Sequence, residues 1–179
     1  MFRDCPKCDL SRLSVIDMGS SPDSKTYNEE GKGLPFYQGK TEFGEMIIGN
    51  AVMYCSAPVK IAQANDVLMS VRAPVGTVNL AKEECCIGRG LASIRAIDSK
   101  SEALFLFFAL RIMEKEIEAM GVGSTFKAIN KNALFSVQIP EASLELQRAF
   151  VLLAQQFDKS KSLRELTVQN RRMGGVRCA

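Results

Sequence analysis

Between Ser143 and Met173 the chain contains neither glycine nor proline, and no other feature limits its fold as tightly. Without a residue that frees or breaks the backbone, such a stretch is set to run as one helix. Some thirty residues at 1.5 Å each reach roughly 45 Å, more than the width of a small domain, so the helix should project as an arm. Leu146, Phe150, Leu153 and Phe157 recur along it at spacings of four, three and four. That is the apolar seam of a helix that meets another helix. The seam continues less regularly through Leu163 and Leu166, and Gly174 and Gly175 end it.

Upstream the periodicity is different. Short β-prone runs follow one another between turn residues: Leu34 to Tyr37, Val52 to Cys55, Val67 to Val71, Val75 to Leu80, Cys85 to Ile87 and Leu91 to Ile97. Runs this short and this close describe a compact, mostly antiparallel twisted sheet. Pro74 between two of them requires a turn or bulge, since proline has no ladder donor. Ser99 and Glu102 have the spacing of a capping box and introduce a helix expected over 101–120, more buried in its Leu104-to-Ile112 half. Asn130 is placed to cap a short helix, and Val137 to Ile139 to form a last strand. The expected fold is therefore α+β: a sheet with packed helices over 1–140, then the long C-terminal helix over 141–179.

With 179 residues, 46% of them hydrophobic and 24% charged, the chain has material for one core and does not have the composition of a disordered segment. Its longest apolar run, Ala103 to Leu110, is far below the roughly 20 residues of a membrane span. The first ten residues lack the basic and apolar pattern of a secretory leader, so the cytoplasm is the expected location. Six cysteines without disulfide-scaffold spacing read as reduced thiols. A net charge of +3 does not by itself announce a nucleic-acid binder.

Three motifs approach known chemistry and fall short. Gly39-Lys40-Thr41 resembles the end of a phosphate-binding loop, but five residues separate it from Gly33 where that loop has four. Asp23, Glu30 and Lys32 have the composition of a Mg²⁺ nuclease site, yet all sit in one Gly/Ser/Asn-rich loop, whereas metal-assisted cleavage needs rigidly held carboxylates. Cys5 and Cys8 have the spacing of half a zinc site whose other half is missing, and read as free thiols near a frayed terminus. With no histidine in the chain, the commonest general base at neutral pH is gone. No catalytic residue, metal or cofactor is expected.

The stronger candidates are polar and basic groups beside turns. Gln38 and Lys40 follow the first long strand, Ser70 and Arg72 lie at the Pro74 turn, and Arg89 stands between two glycines. Ser124, Thr125, Lys127, Asn130 and Lys131 follow a glycine loop in a stretch, 121–140, that contains no acid. Arginine and glutamine can form bidentate hydrogen bonds with guanine and adenine edges, while lysine, serine and threonine more often hold phosphates. Taken singly, each is an ordinary surface residue.

Taken together, several segments resemble the specificity subunits of type I restriction-modification systems. These are Leu34-Pro35-Phe36-Tyr37-Gln38-Gly39-Lys40 with Phe43-Gly44, Asp66 through Gly76, Cys86-Ile87-Gly88-Arg89-Gly90-Leu91-Ala92, Gly123-Ser124-Thr125-Phe126-Lys127 with Ile129-Asn130, and Ile139-Pro140 leading into a helix with Glu145 and Gln147. The resemblance spans about 19–158. It implies a target-recognition domain that reads a few base pairs of double-stranded DNA, followed by a helical spacer that docks modification (methyltransferase) and restriction subunits, which carry the catalysis. Full-length subunits of that family have two such domains and two arms; this chain has one of each. The resemblance thus implies either a half-subunit that forms a homodimer through its C-terminal helix, or a truncated or silent fragment that docks without reading DNA.

Overall fold

A strand buried on both faces reads as an unbroken apolar run, and Val67–Ser70 is such a strand. In the computed structural model, which describes residues 2, 5–123 and 127–174 with side chains through residue 160, every residue of this strand is buried. Val67 and Met69 face a helical layer, and Leu68 faces a second sheet. The chain order is β1 (Lys7–Asp9), α1 (Leu10–Leu13), β2 (Ser14–Met18), β3 (Tyr27–Asn28), β4 (Leu34–Tyr37), β5 (Met53–Cys55), β6 (Ile61–Ala62), β7 (Val67–Ser70), β8 (Val78–Leu80), β9 (Cys85–Ile87), β10 (Leu91–Ala96), α2 (Ala103–Ile112), α3 (Glu114–Ala119), α4 (Lys131–Phe135), β11 (Gln138–Pro140) and α5 (Leu144–Gly174).

The α+β class is as expected, but the strands divide among three sheets in the described residues. A four-stranded sheet runs β2-β10-β7-β8, a five-stranded sheet runs β3-β5-β4-β9-β6, and β1 pairs with β11. All pairings are antiparallel except β4 with β9, which is parallel. The four-stranded sheet lies in the middle, with α2 on one face and the five-stranded sheet on the other. Phe105, Leu106, Phe107 and Leu110 of α2 are fully buried against it. Tyr37, Ile48, Cys85, Ile87 and Leu91 fill the space between the sheets.

The helix expected over 101–120 is two helices, broken at Met113 (φ −88°, ψ 6°). The break lets Ile117 pack beneath Gly76, where a Cβ would stand 2.9 Å from the Glu114 carbonyl. Thr77 Oγ1 donates to Glu114 Oε1 at 2.6 Å across the same joint. The Ser99–Glu102 capping box does not form: Ser99 sits in a turn at φ +65°, and Glu102, at the helix N-cap, makes no side-chain cap bond. Nor is the terminus frayed at Cys8, which is 4% exposed and opposite Ile139; neither Cys5 nor Cys8 is in a disulfide.

The partner that satisfies the start of α2 comes from α5. Gln147 is completely buried. Its Oε1 accepts from the Glu102 N–H at 3.0 Å, and its Nε2 donates to the carbonyls of Lys100 at 2.9 Å and Ala142 at 2.8 Å. About one turn on, Phe150 packs edge-on against Phe105 and Phe2 and Val151 is buried, and further along Asp158 accepts from Arg111 at 2.7 Å. The first turns of α5 are therefore built into the core, and only beyond them can the helix act as an arm. We predict that Gln147→Leu, which removes the side-chain partner of one buried and two part-buried backbone groups, lowers unfolding stability by about 3 kcal/mol. Removing the exposed neighbouring ion pair by Arg148→Ala should cost under about 1 kcal/mol. Urea unfolding of both variants measures the contrast, and equal losses would contradict it.

Candidate nucleic-acid interface

Four loop segments meet where strand ends of the two larger sheets converge, and main-chain hydrogen bonds hold them in sequence. The Gly90 N–H donates to the Gln38 carbonyl at 3.1 Å, the Val71 N–H to the Gly90 carbonyl at 2.9 Å, and the Ile129 N–H to the Val71 carbonyl at 3.0 Å. Ala73 N–H adds a bond to the Lys127 carbonyl at 2.9 Å, and Arg72 forms an antiparallel bridge with Ala128. Ala128 in turn exchanges both bonds with Val122. The chain can pass this closely at Gly90 only because it has no side chain: a Cβ would lie 2.2 Å from the Gln38 carbonyl oxygen.

This relay sets the side chains. Gln38, Arg72 and Arg89, from three separate segments, line one recess of about 110 Å³ together with Ser21 and Gly90. All three are exposed, and Arg89 Nε donates to Ser21 Oγ at 3.1 Å. Lys127 is exposed at the end of the relay beyond Arg72, and Lys40 is exposed in the loop after Gln38. Two guanidinium forks and a carboxamide that share a recess are groups that pair with base edges; flanking lysines suit phosphates.

The other expected contacts also make local interactions. Ser70 is buried, and its hydroxyl donates to the Arg72 carbonyl at 2.8 Å, which shapes the turn that presents Arg72. Asn130 caps α4, its side-chain oxygen accepting from the Ala133 N–H at 2.9 Å, so that oxygen is engaged. Lys131 directs its ammonium over the Phe135 ring at 5.1 Å. Ser124 and Thr125 lie outside the described residues. Ser21 was not singled out in the sequence; its partner Arg89 is 68 positions away, and no local pattern connects them.

The alternative chemistries find little footing. Asp23 caps a 3₁₀ turn by accepting from the Lys25 N–H, and Glu30 and Lys32 form an exposed pair at 4.0 Å. Among the described residues no three His, Cys, Asp or Glu side chains group as a metal site. No helix follows Gly39-Lys40-Thr41. Burial pushes the Cys85 thiol up to about 12 and Cys86 up to about 11, so neither is a thiolate at neutral pH. No helix among the described residues is long and apolar enough to cross a membrane.

On α5 the expected seam is divided. Phe150 is used inside the chain and Leu146 is half-buried, whereas Leu153 (44%) and Phe157 (75%) are exposed. These two join Phe108, Arg111, Ile112 and Ala154 around an apolar groove of about 520 Å³ between α2 and α5. The side chains of Leu163 and Leu166 lie outside the described residues.

A family model for the type I restriction modification DNA specificity domain matches residues 9–170. A specificity subunit assigned to the type I restriction enzyme MjaX of Methanocaldococcus jannaschii is 49% identical over 134 residues, covering 75% of this chain and 31% of the relative. Among solved structures, a chain from a study of complex assembly and conformational transition of the type I R-M system superposes with a TM-score of 0.86 at 41% identity, covering 97% of this chain and 43% of that one. The HsdS subunit from Thermoanaerobacter tengcongensis gives 0.81 at 42% identity, covering 91% and 39%. The chain thus spans well under half the length of these similar proteins.

Proposed function

This chain belongs to the type I restriction modification DNA specificity domain family, and from that premise we propose that it reads a short sequence of double-stranded DNA for catalysts it does not itself contain. The observation that carries the reading is the convergence of Gln38, Arg72 and Arg89, distant in sequence, on one exposed recess. A major-groove edge presents to such a group the acceptors of guanine and the donor and acceptor of adenine, and each bidentate pair discriminates against the wrong base. Lys40 and Lys127 flank the recess and supply phosphate contacts, which fix register and make affinity fall with salt. Ser124 and Thr125, three and two positions before Lys127 in the sequence, are proposed as further DNA contacts.

Residues 1–140 serve in this reading as the recognition domain and 141–179 as the arm. Modification (methyltransferase) and restriction subunits dock on the arm and perform methyl transfer and cleavage, in the cytoplasm, and the chain needs no cofactor of its own. A second copy completes the two-domain arrangement through α5, with Leu153 and Phe157 at the contact and Leu163 and Leu166 continuing it. Closed two-fold symmetry then imposes two identical, inverted half-sites on the DNA.

Arg72→Ala and Arg89→Ala should each weaken binding to the cognate duplex by about 1–3 kcal/mol and relax one base position. Lys127→Ala should weaken all duplexes alike and reduce the salt slope by about one. Fluorescence anisotropy across a salt series measures both, and unchanged affinities and slopes would reject the assignment. The chain alone should not cut DNA in Mg²⁺. In sedimentation, the wild type should be a dimer that Phe157→Glu converts to monomer; a monomeric wild type would remove the dimer from the proposal.

A further inference from the structure

Gln38 is shared by two depressions. Besides the recess with Arg72 and Arg89 it lines a second one, of about 270 Å³, with Tyr27, Phe36, Glu42, Val52 and Met53. Two aromatic rings line it: Tyr27 and Phe36 have ring centroids 4.7 Å apart, and Tyr27 is fixed by its hydroxyl donating to the Pro22 carbonyl at 2.9 Å. Val52 is 67% exposed at this site. Glu42 is half-buried there, its loop closed by the Gly49 N–H donating to the Glu42 carbonyl at 2.7 Å. Among the described residues its carboxylate has no ion-pair partner, although Lys40 is only two positions away.

From this arrangement we infer that the Tyr27–Glu42–Val52 depression is a second base-reading subsite, in which Glu42 accepts from the exocyclic amino group of a cytosine and Val52 meets the methyl group of a neighbouring thymine. The inference rests on the DNA-reading function proposed above. A carboxylate is repelled by phosphates, so on a surface that also presents Gln38, Lys40, Arg72 and Arg89 it is compatible with DNA only where it faces a donor. In the major groove those donors are amino groups, and a carboxylate pairs with that of cytosine. An apolar contact in the same groove selects the thymine methyl. The volume is small for a free organic ligand, whose pockets run from about 300 Å³ upward, and the shared Gln38 places it next to the base-reading recess.

The test is selection of bound duplexes from a randomised library by the full chain, with the fold of each variant checked by circular dichroism. Glu42→Gln exchanges an acceptor-only group for a carboxamide, which suits adenine. It should move the preference at one position from cytosine to adenine, keep the rest of the motif, and weaken binding to the wild-type site about tenfold. Val52→Ala should relax a thymine at an adjacent position. An unchanged motif in both variants, or an even loss at all positions, overturns the subsite. If Arg72→Ala alters the motif while Glu42→Gln does not, DNA reading stands and the subsite alone falls. A wild-type chain that selects no motif overturns the reading and the subsite with it.

Discussion

The presentation of the candidate interface depends on a relay of main-chain hydrogen bonds that runs from Gln38 through Gly90 and Val71 to Ile129. These bonds join segments from both larger sheets and from the loop before α4, and none of them uses a side chain. The distinction is physical. Main-chain bonds fix where the loop tips stand while leaving side chains at the tips free to differ, so a rigid frame can carry a changeable reading surface. Ser70 shows how the frame uses the remaining polar groups: its hydroxyl bonds the Arg72 carbonyl and holds the turn, leaving the guanidinium to face outward. The close approach at Gly90 is a point where the frame constrains the sequence outright.

A second constraint couples that frame to the long helix. Gln147 meets all its hydrogen-bonding obligations in the interior, to the Glu102 N–H and the Lys100 and Ala142 carbonyls. A buried carboxamide so placed has one orientation, and it fixes where α5 leaves the domain. Phe150 and the Arg111–Asp158 pair extend the same attachment along the helix. Anything that docks on the exposed part of α5 is thereby held at a set distance and angle from the loop tips, which is what the spacer role proposed for this helix requires.

Much of this was legible in the sequence, and the rest was hidden for identifiable reasons. Runs such as Leu34 to Tyr37, Cys85 to Ile87 and Val67 to Val71 declared strands through composition. Nothing local could say that β4 and β9 pair in parallel, or that β7 is buried by a sheet on one face and helices on the other. The Ser99–Glu102 spacing pointed to the right helix for the wrong reason, since the partner at its start is Gln147, 45 positions away from Glu102. The seam on α5 was periodic as expected, yet Phe150 serves the chain's own core because Phe2 and Phe105 reach it. Among the site residues, Gln38, Arg72 and Arg89 stood out as polar groups beside turns, while Ser70 and Asn130 also hold a turn and cap a helix. Serine and asparagine beside turns serve backbone geometry as readily as ligands, and composition does not separate the two roles.

The recess of Gln38, Arg72 and Arg89 carries the proposed reading, in which the chain selects a site and other subunits perform the reaction. Mapping methylated positions in the source genome, with and without this gene, tests that claim most directly. The account predicts that one motif loses its methylation when the gene is removed, and that the motif has inverted, identical half-sites. An unchanged methylation map in a cell that makes this chain and its modification subunits would contradict it.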